Sequence, residues 1–201
     1  MPKVVPKICI VDYGRGNLRS VINALEYVTD CNVCVSNKKK ELDSSDILIL
    51  PGVGSFSDAI GNLHERDLFD KLNDEVINRK KPLMAICLGM QLVMDSSEEG
   101  GVSQGFGWIP GKVARFKVSN EYRVPHMGWD NIQIKKRSDL FKGIEQNPDF
   151  YFVHSFAVPE YEHTLASCTY GNTFSAAINK NNFYGVQFHP ELKSRIVNVH
   201  P

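Results

Sequence analysis

Through its first half the chain alternates short apolar runs with segments of helical periodicity, and few architectures accept that order. "KICIVDYG" is a strand-like run closing in a turn, and "NLRSVINALEYV" places Leu18, Val21, Ile22, Leu25 and Val28 at helical spacing. "NVCVS" is a short strand, and "DILILPGVG" is a continuous apolar strand ended by a Pro/Gly turn. "FSDAIGNLHERDLFDKLNDEVINRK" is mostly helical with a break expected near Gly61, and "KPLMAI" is a buried strand running into Cys87 and a further helix. Strand and helix in strict turn imply βαβ units with right-handed crossovers and parallel pairing. From Gly105 onward the character changes to short strands: "GKVARFKV", "NIQIK", "FYFVHSFAV", "LASCTYG", "FSAAIN" and "FYGVQFH". The expected fold class is α/β: an open, mostly parallel sheet flanked by helices, with an added antiparallel portion, in a single domain over residues 1–201.

Composition narrows the function. Lys+Arg and Asp+Glu both number 23, so the formal net charge is zero, which argues against a general binder of nucleic acid or anionic membrane. No apolar run approaches the ~18 residues of a membrane span. "MPKVVPKICIVDYG" lacks the apolar stretch and cleavage site of a signal peptide, so a cytoplasmic address with reduced thiols is expected. The five cysteines are odd in number and form no paired CxxC set for a metal. Cys31-Asn-Val-Cys34 is one CxxC by spacing, but redox CxxC motifs open helices and this one reads as a strand and its flank. Cys9 and Cys168 read as core thiols. No metal or cofactor set is read.

Three stretches carry chemistry. Cys87 closes a buried strand, and Gly89 permits a sharp turn into a helix, much as in a nucleophile elbow. In open α/β sheets ligands sit beyond the carboxyl ends of the strands, which is where this thiol falls. Helix N–H groups there favour thiolate and can meet an oxyanion. "YGVQFHPE" supplies a base: residues two apart in an extended chain face the same way, so Glu191 can orient His189, as the third member of a triad does. Pro51-Gly52-Val53-Gly54 ends another buried strand on the same sheet edge, where glycines let backbone N–H groups approach a substrate. Taken singly, each stretch also reads as a structural cysteine, a surface turn or a tight turn.

Together, "PGVG", "AICLGMQLV" and "YGVQFHPE" resemble the class I (triad-type) glutamine amidotransferases, whose sheet is flavodoxin-like. "IVDYGRGNLRSV", "SSEEGG", "GWIPGKVARF", "VPHMGWDNI" and "YFVHSFAV" extend the likeness, from about Ile8 to Glu191, toward the glutaminase subunits of histidine biosynthesis. The resemblance implies that Cys87 attacks the side-chain amide of L-glutamine, that His189 takes the thiol proton and passes it to departing ammonia, and that Glu191 holds His189. It implies an oxyanion hole from the N–H of Leu88 and one from the Gly52-Val53-Gly54 turn, with a flip of that turn coupled to a partner. Gln91 and the backbone of His154, Ser155 and Phe156 would bind glutamine. The partner would be a (β/α)8-barrel cyclase that uses the ammonia to cleave and cyclise a ribulosyl carboxamide ribonucleotide, yielding imidazole glycerol phosphate and an aminoimidazole carboxamide ribonucleotide (AICAR). Its contact face would include Asn17, Pro125, His126, Met127, Gly128, Trp129 and the Pro51 turn, with Trp129 as an anchor on a loop. Two other readings fit: a paralogous glutaminase feeding a sugar amidotransferase in surface-glycan synthesis, and a non-catalytic regulatory subunit.

His126 and His154 read either as groups behind the site or as structural histidines, and His64 and Lys38-Lys39-Lys40 read as solvated. The chain departs from the family where "HPELKSRIVNVHP" inserts Leu192 and leaves little room for a terminal helix, which would expose apolar surface. Phe106 and Trp108 also stand where smaller aliphatics are common.

Overall fold

The computed structural model describes residues 5–144 and 146–192. The segment after His-Pro-Glu where a terminal helix was in question lies almost wholly outside them. Strand β1 (Lys7–Val11) leads to helix α1 (Leu18–Val28), β2 (Asn32–Ser36), α2 (Lys39–Ser44), β3 (Ile47–Leu50), α3 (Phe56–Glu65), α4 (Phe69–Asn73), a π turn (Asp74–Asn78) and β4 (Leu83–Ile86). The chain continues through α5 (Leu88–Leu92), β5 (Met94–Ser97), β6 (Ser103–Gln104), β7 (Ile109–Arg115), β8 (His126–Asn131) and β9 (Gln133–Ile134). The remaining strands are β10 (Asp149–His154), β11 (Phe156–Ala157), β12 (Thr164–Tyr170), β13 (Asn172–Lys180) and β14 (Phe183–Val186).

The main sheet runs β2-β1-β3-β4-β14-β13-β12-β9. Neighbours from β2 to β14 are parallel, and β13, β12 and β9 continue antiparallel, as expected for the fold class. The apolar runs split by period two onto both faces. Cys9, Val11, Leu48 and Leu50 join a core with Phe56, Leu63, Leu68 and Leu72 from the α3–α4 side. Ile8, Ile10 and Ile49 join a second core with Val21, Leu18, Ile22 and Leu25 of α1. A sheet covered on both faces needs apolar strands throughout, which is why these runs do not alternate with polar residues.

Two expectations are corrected, and two elements are more closely defined. The helix does not break near Gly61; α3 runs through it, held by Phe56, Ala59 and Leu63 packed into the core. The break falls at Asp67, which takes a positive φ of 54°. Lys38, Lys39 and Lys40 are exposed, as expected, and Lys39–Ser44 is a helix that packs Leu42 into the core. The helix after Cys87 is only five residues long. The carbonyls that would prolong it are captured instead: Leu92 accepts from Phe106 N–H (2.8 Å), Val93 from Trp108 (3.0 Å), Met94 from Gly107 (3.0 Å) and Asp95 from Gly105 (2.8 Å). Finally, the Pro-His-Met-Gly-Trp stretch is largely strand, not loop: β8 pairs antiparallel with β10, with His126 opposite His154 and Trp129 opposite Tyr151.

Phe106 and Trp108 are buried and stacked, ring centroids 4.2 Å apart, in a column that continues to Phe69 and His64. The CxxC cysteines are not bonded to each other. Cys34 lies beside Cys9 across the β1–β2 pair, and burial, then this neighbour, pushes the Cys9 thiol up to about 12.

Candidate active site

Three neighbouring parallel strands, β3, β4 and β14, end at one edge of the sheet, and each delivers one of the three motifs there. Cys87 follows β4 directly. Its φ of 53° and ψ of −112° lie outside the usual regions for a side-chain-bearing residue, a strain of about 1–3 kcal/mol. The bend is held from both sides. The Cys87 N–H donates to Val186 of β14 (2.8 Å), and its carbonyl accepts from Met90 N–H (3.0 Å). A Cβ at Gly89 would stand 2.0 Å from the Leu50 carbonyl oxygen, and one at Gly52 would stand 2.7 Å from the Gly89 nitrogen. The elbow therefore sits directly on the turn after β3, and both contacts need glycine.

His189 follows β14, and its N–H donates to the Tyr151 carbonyl of β10 (2.9 Å). Its Nδ1–H donates to Glu191 Oε1 (2.8 Å), the two side chains being 7% and 4% exposed. Nε2 is buried and has no hydrogen-bond partner among the described residues; Cys87 lines the same cavity. Burial works against a charged ring, but hydrogen bonding and charge from Cys87 and Glu191 outweigh it and raise His189 to about 10.

A cavity of about 190 Å³ opens at this edge, lined by Cys87, Leu88, Gln91 and His189 together with Val53 and Gly54 of the turn. Val153, His154, Ser155 and Phe156 form its other wall. Gly52 does not line it but packs behind, against Gly89. Tyr13, fully buried, donates its hydroxyl to the Pro51 carbonyl (2.8 Å) and anchors the turn. Gln91 lines the cavity, but its amide donates to Phe156 O (3.0 Å) and Gln187 Oε1 (3.0 Å), so only its own oxygen is left for a ligand.

Two residues of this region were missed. Glu99 lines the cavity while its Oε2 accepts from Phe56 N–H (2.7 Å) at the start of α3. It stands in the "SSEEGG" stretch, but its approach to the cavity depends on the loop after β5 returning to α3. Gln187 donates to Cys87 Sγ at 3.8 Å. A glutamine inside the apolar run "YGVQFH" was the available signal.

The expected partner face divides. Asn17 is exposed and caps α1, accepting from Ser20 N–H (3.4 Å). Met127 and Trp129 are 61% and 42% exposed, and Pro125 is exposed beside them. Gly128 lies between, in the same strand. His126 is not available to a partner: it alternates inward on β8, is 2% exposed, and stacks between Phe152 and Tyr170. His154 is buried with it, and desolvation holds its ring near 3, neutral at physiological pH.

A strained cysteine elbow, a buried His–Glu pair and a glycine turn, set on adjacent parallel strands, meet at one edge of an α/β sheet. The family profile for glutamine amidotransferase class-I matches residues 9–200, and the chain belongs to that family. Its relatives include proteins named imidazole glycerol phosphate synthase subunit HisH. The one from Methanosarcina barkeri is 48% identical, covering 94% of this chain and 93% of its own; the HisH 2 of Vibrio vulnificus is 46% identical, covering 94% and 89%. Among solved structures, PurLQS from Thermotoga maritima superposes with a TM-score of 0.67 at 19% identity over 94% of this chain and 89% of its own. A glutamine amidotransferase from the same organism gives 0.64 at 14% identity over 94% and 78%; at such identities these share the fold.

Proposed function

We propose that the chain is the glutaminase subunit of imidazole glycerol phosphate synthase, hydrolysing L-glutamine to glutamate and ammonia through a cysteinyl thioester and passing the ammonia to a cyclase subunit. The observation that carries the chemistry is His189, hydrogen-bonded to Glu191 at 2.8 Å and lining one cavity with Cys87 at its strained elbow. The similarity to HisH proteins carries the choice of acceptor.

The steps follow from the geometry. His189 takes the Cys87 thiol proton, and Cys87 Sγ attacks the side-chain amide carbon of glutamine, forming a C–S bond and an oxyanion. The Leu88 N–H and one from Val53 or Gly54 receive that oxyanion; losing one such donor typically costs about 3 kcal/mol. His189 gives its proton to the amide nitrogen, the C–N bond breaks, and ammonia leaves. His189 then takes a proton from water, which adds to the thioester; the C–S bond breaks, glutamate leaves and the protonated pair is restored. Glu99, a carboxylate on the cavity wall, suits the α-ammonium group of glutamine, and the 154–156 backbone suits its carboxylate end. Pro51 is tied to Tyr13, and Val53, beyond it in the turn, is exposed, so a rearrangement that presents an N–H to the oxyanion would fall at Val53 and Gly54.

Replacing Cys87 by Ala tests the assignment. In the complex with a cyclase, glutamine-dependent product formation is expected to vanish while activity with added ammonium salt persists. Glutamine-dependent turnover surviving in C87A would remove Cys87 as nucleophile. Affinity capture that returned a sugar amidotransferase instead of a cyclase would keep the chemistry and change the acceptor.

A further inference from the structure

The cavity is backed by a hydrogen-bond chain whose directions can be worked out link by link. The Phe156 carbonyl can only accept, and it does so twice: from Gln91 Nε2 (3.0 Å) and from His154 Nδ1 (2.9 Å). The first contact fixes which end of the Gln91 amide is nitrogen. The second hydrogen of that nitrogen then points at Gln187 Oε1 (3.0 Å). This in turn fixes Gln187: were its amide reversed, two NH₂ groups would face each other. The Gln187 nitrogen therefore faces Cys87 Sγ at 3.8 Å, within reach of a sulfur acceptor. On the other side, His154 Nδ1 carries the proton, so its Nε2 accepts from His126 Nδ1 at 3.2 Å.

We propose that Gln187 is a catalytic residue of this site, donating a fixed amide N–H to the Cys87 thiolate and stabilising it. The inference deepens the glutaminase reading and rests on Cys87 being its nucleophile.

The arrangement is built rather than incidental. Gln187 is completely buried, and its backbone N–H is tied to Ala176 of β13 (2.9 Å), so the amide cannot swing out to water. A completely buried amide must be satisfied, and its donor has a sulfur as partner. Hydrogen bonding to a charged form favours that form, so a donor aimed at sulfur promotes thiolate over thiol. A second, neutral donor also suits the cycle. When His189 gives its proton to the leaving ammonia, the Gln187 N–H remains, and it can serve the sulfur again as the thioester breaks.

The test reads thiol ionisation directly and needs neither glutamine nor a partner. Alkylation of Cys87 by iodoacetamide is followed on the intact protein by mass spectrometry of the Cys87 peptide, as the ratio of the rate at pH 7 to the plateau rate at high pH. Taking the ratio separates ionisation from access. In Gln187→Met this ratio is expected to fall threefold or more relative to the unsubstituted chain. If that variant does not fold, as judged by circular dichroism, Gln187→Asn withdraws the amide by one methylene while remaining polar, and the same fall is expected. A folded variant whose ratio changes less than threefold overturns the proposal. Glutamate release from glutamine is scored separately in the unsubstituted protein, so a failure of the glutaminase reading would appear there and not in the alkylation ratio.

Discussion

At the residue scale the site depends on a backbone that only particular side chains tolerate. Gly89 has the least room, its missing Cβ standing where Leu50 O would be 2.0 Å away. Gly89→Ala is expected to cost about 3 kcal/mol or more, the upper end for forced overpacking, read as a lowered urea midpoint. Cys87, His189 and Glu191 were legible because each stood in a stretch whose chemistry and chain direction could be argued: a thiol at a strand end, and an imidazole two residues from a carboxylate in extended chain. Gln187 stood in the same quoted stretch and was passed over. Its neighbours Val186 and Phe188 are core residues, and what it does depends on Gln91, nearly a hundred positions away in sequence, and on which way the Phe156 carbonyl faces.

At the element scale the β8–β10 ribbon joins the cavity wall to the outer surface. Its buried face holds His126, Phe152 and His154 against Phe116 and Phe174, and its outer face carries Met127, Trp129 and Val153. This inversion, imidazoles inward and apolar side chains outward, hid the strand: alternation was present but with unexpected residue types on each face. The buried His154 gives the ribbon a pH signature. Its ring titrates near 6.5 in an unfolded chain and near 3 here, so the unfolded state binds the proton first. The stability it contributes is complete above pH 6.5 and is lost as pH falls toward 3. His154→Gln is therefore expected to lose less stability between pH 7 and pH 4 than the unsubstituted protein, measured as the change in urea midpoint. An equal loss in both would assign the acid sensitivity to other groups. His189 acts with the opposite sign: raised to about 10, it contributes below pH 6.5 and its contribution fades as pH rises through 10.

Across the whole molecule, the strand order is what makes the site. β3, β4 and β14 are distant in sequence and adjacent in the sheet, so their carboxyl ends converge on one edge. The alternation of the first half made that half of the sheet legible. The short α5 was not, because the segment around Gly105–Ile109 ends it by capturing its carbonyls across space. Trp129 and Met127 lie on the outer face of the ribbon beside that edge, apolar and exposed. Trp129→Glu is expected to weaken the complex with the cyclase about thirtyfold, the effect of losing a central aromatic anchor, in a titration of binding, while leaving the partner-free rate of glutamate release within a few-fold. Full affinity in that variant would place the interface elsewhere.

The proposed chemistry turns on a covalent glutamyl intermediate at one sulfur. Acid quenching during turnover of glutamine, followed by mass spectrometry of the intact chain and its peptides, measures it directly. One glutamyl group on the Cys87 peptide, absent from C87A and cleared as glutamine is exhausted, is the predicted result. Glutamate released at full rate with no adduct on Cys87 at any quench time, or the adduct found on another residue, would contradict it.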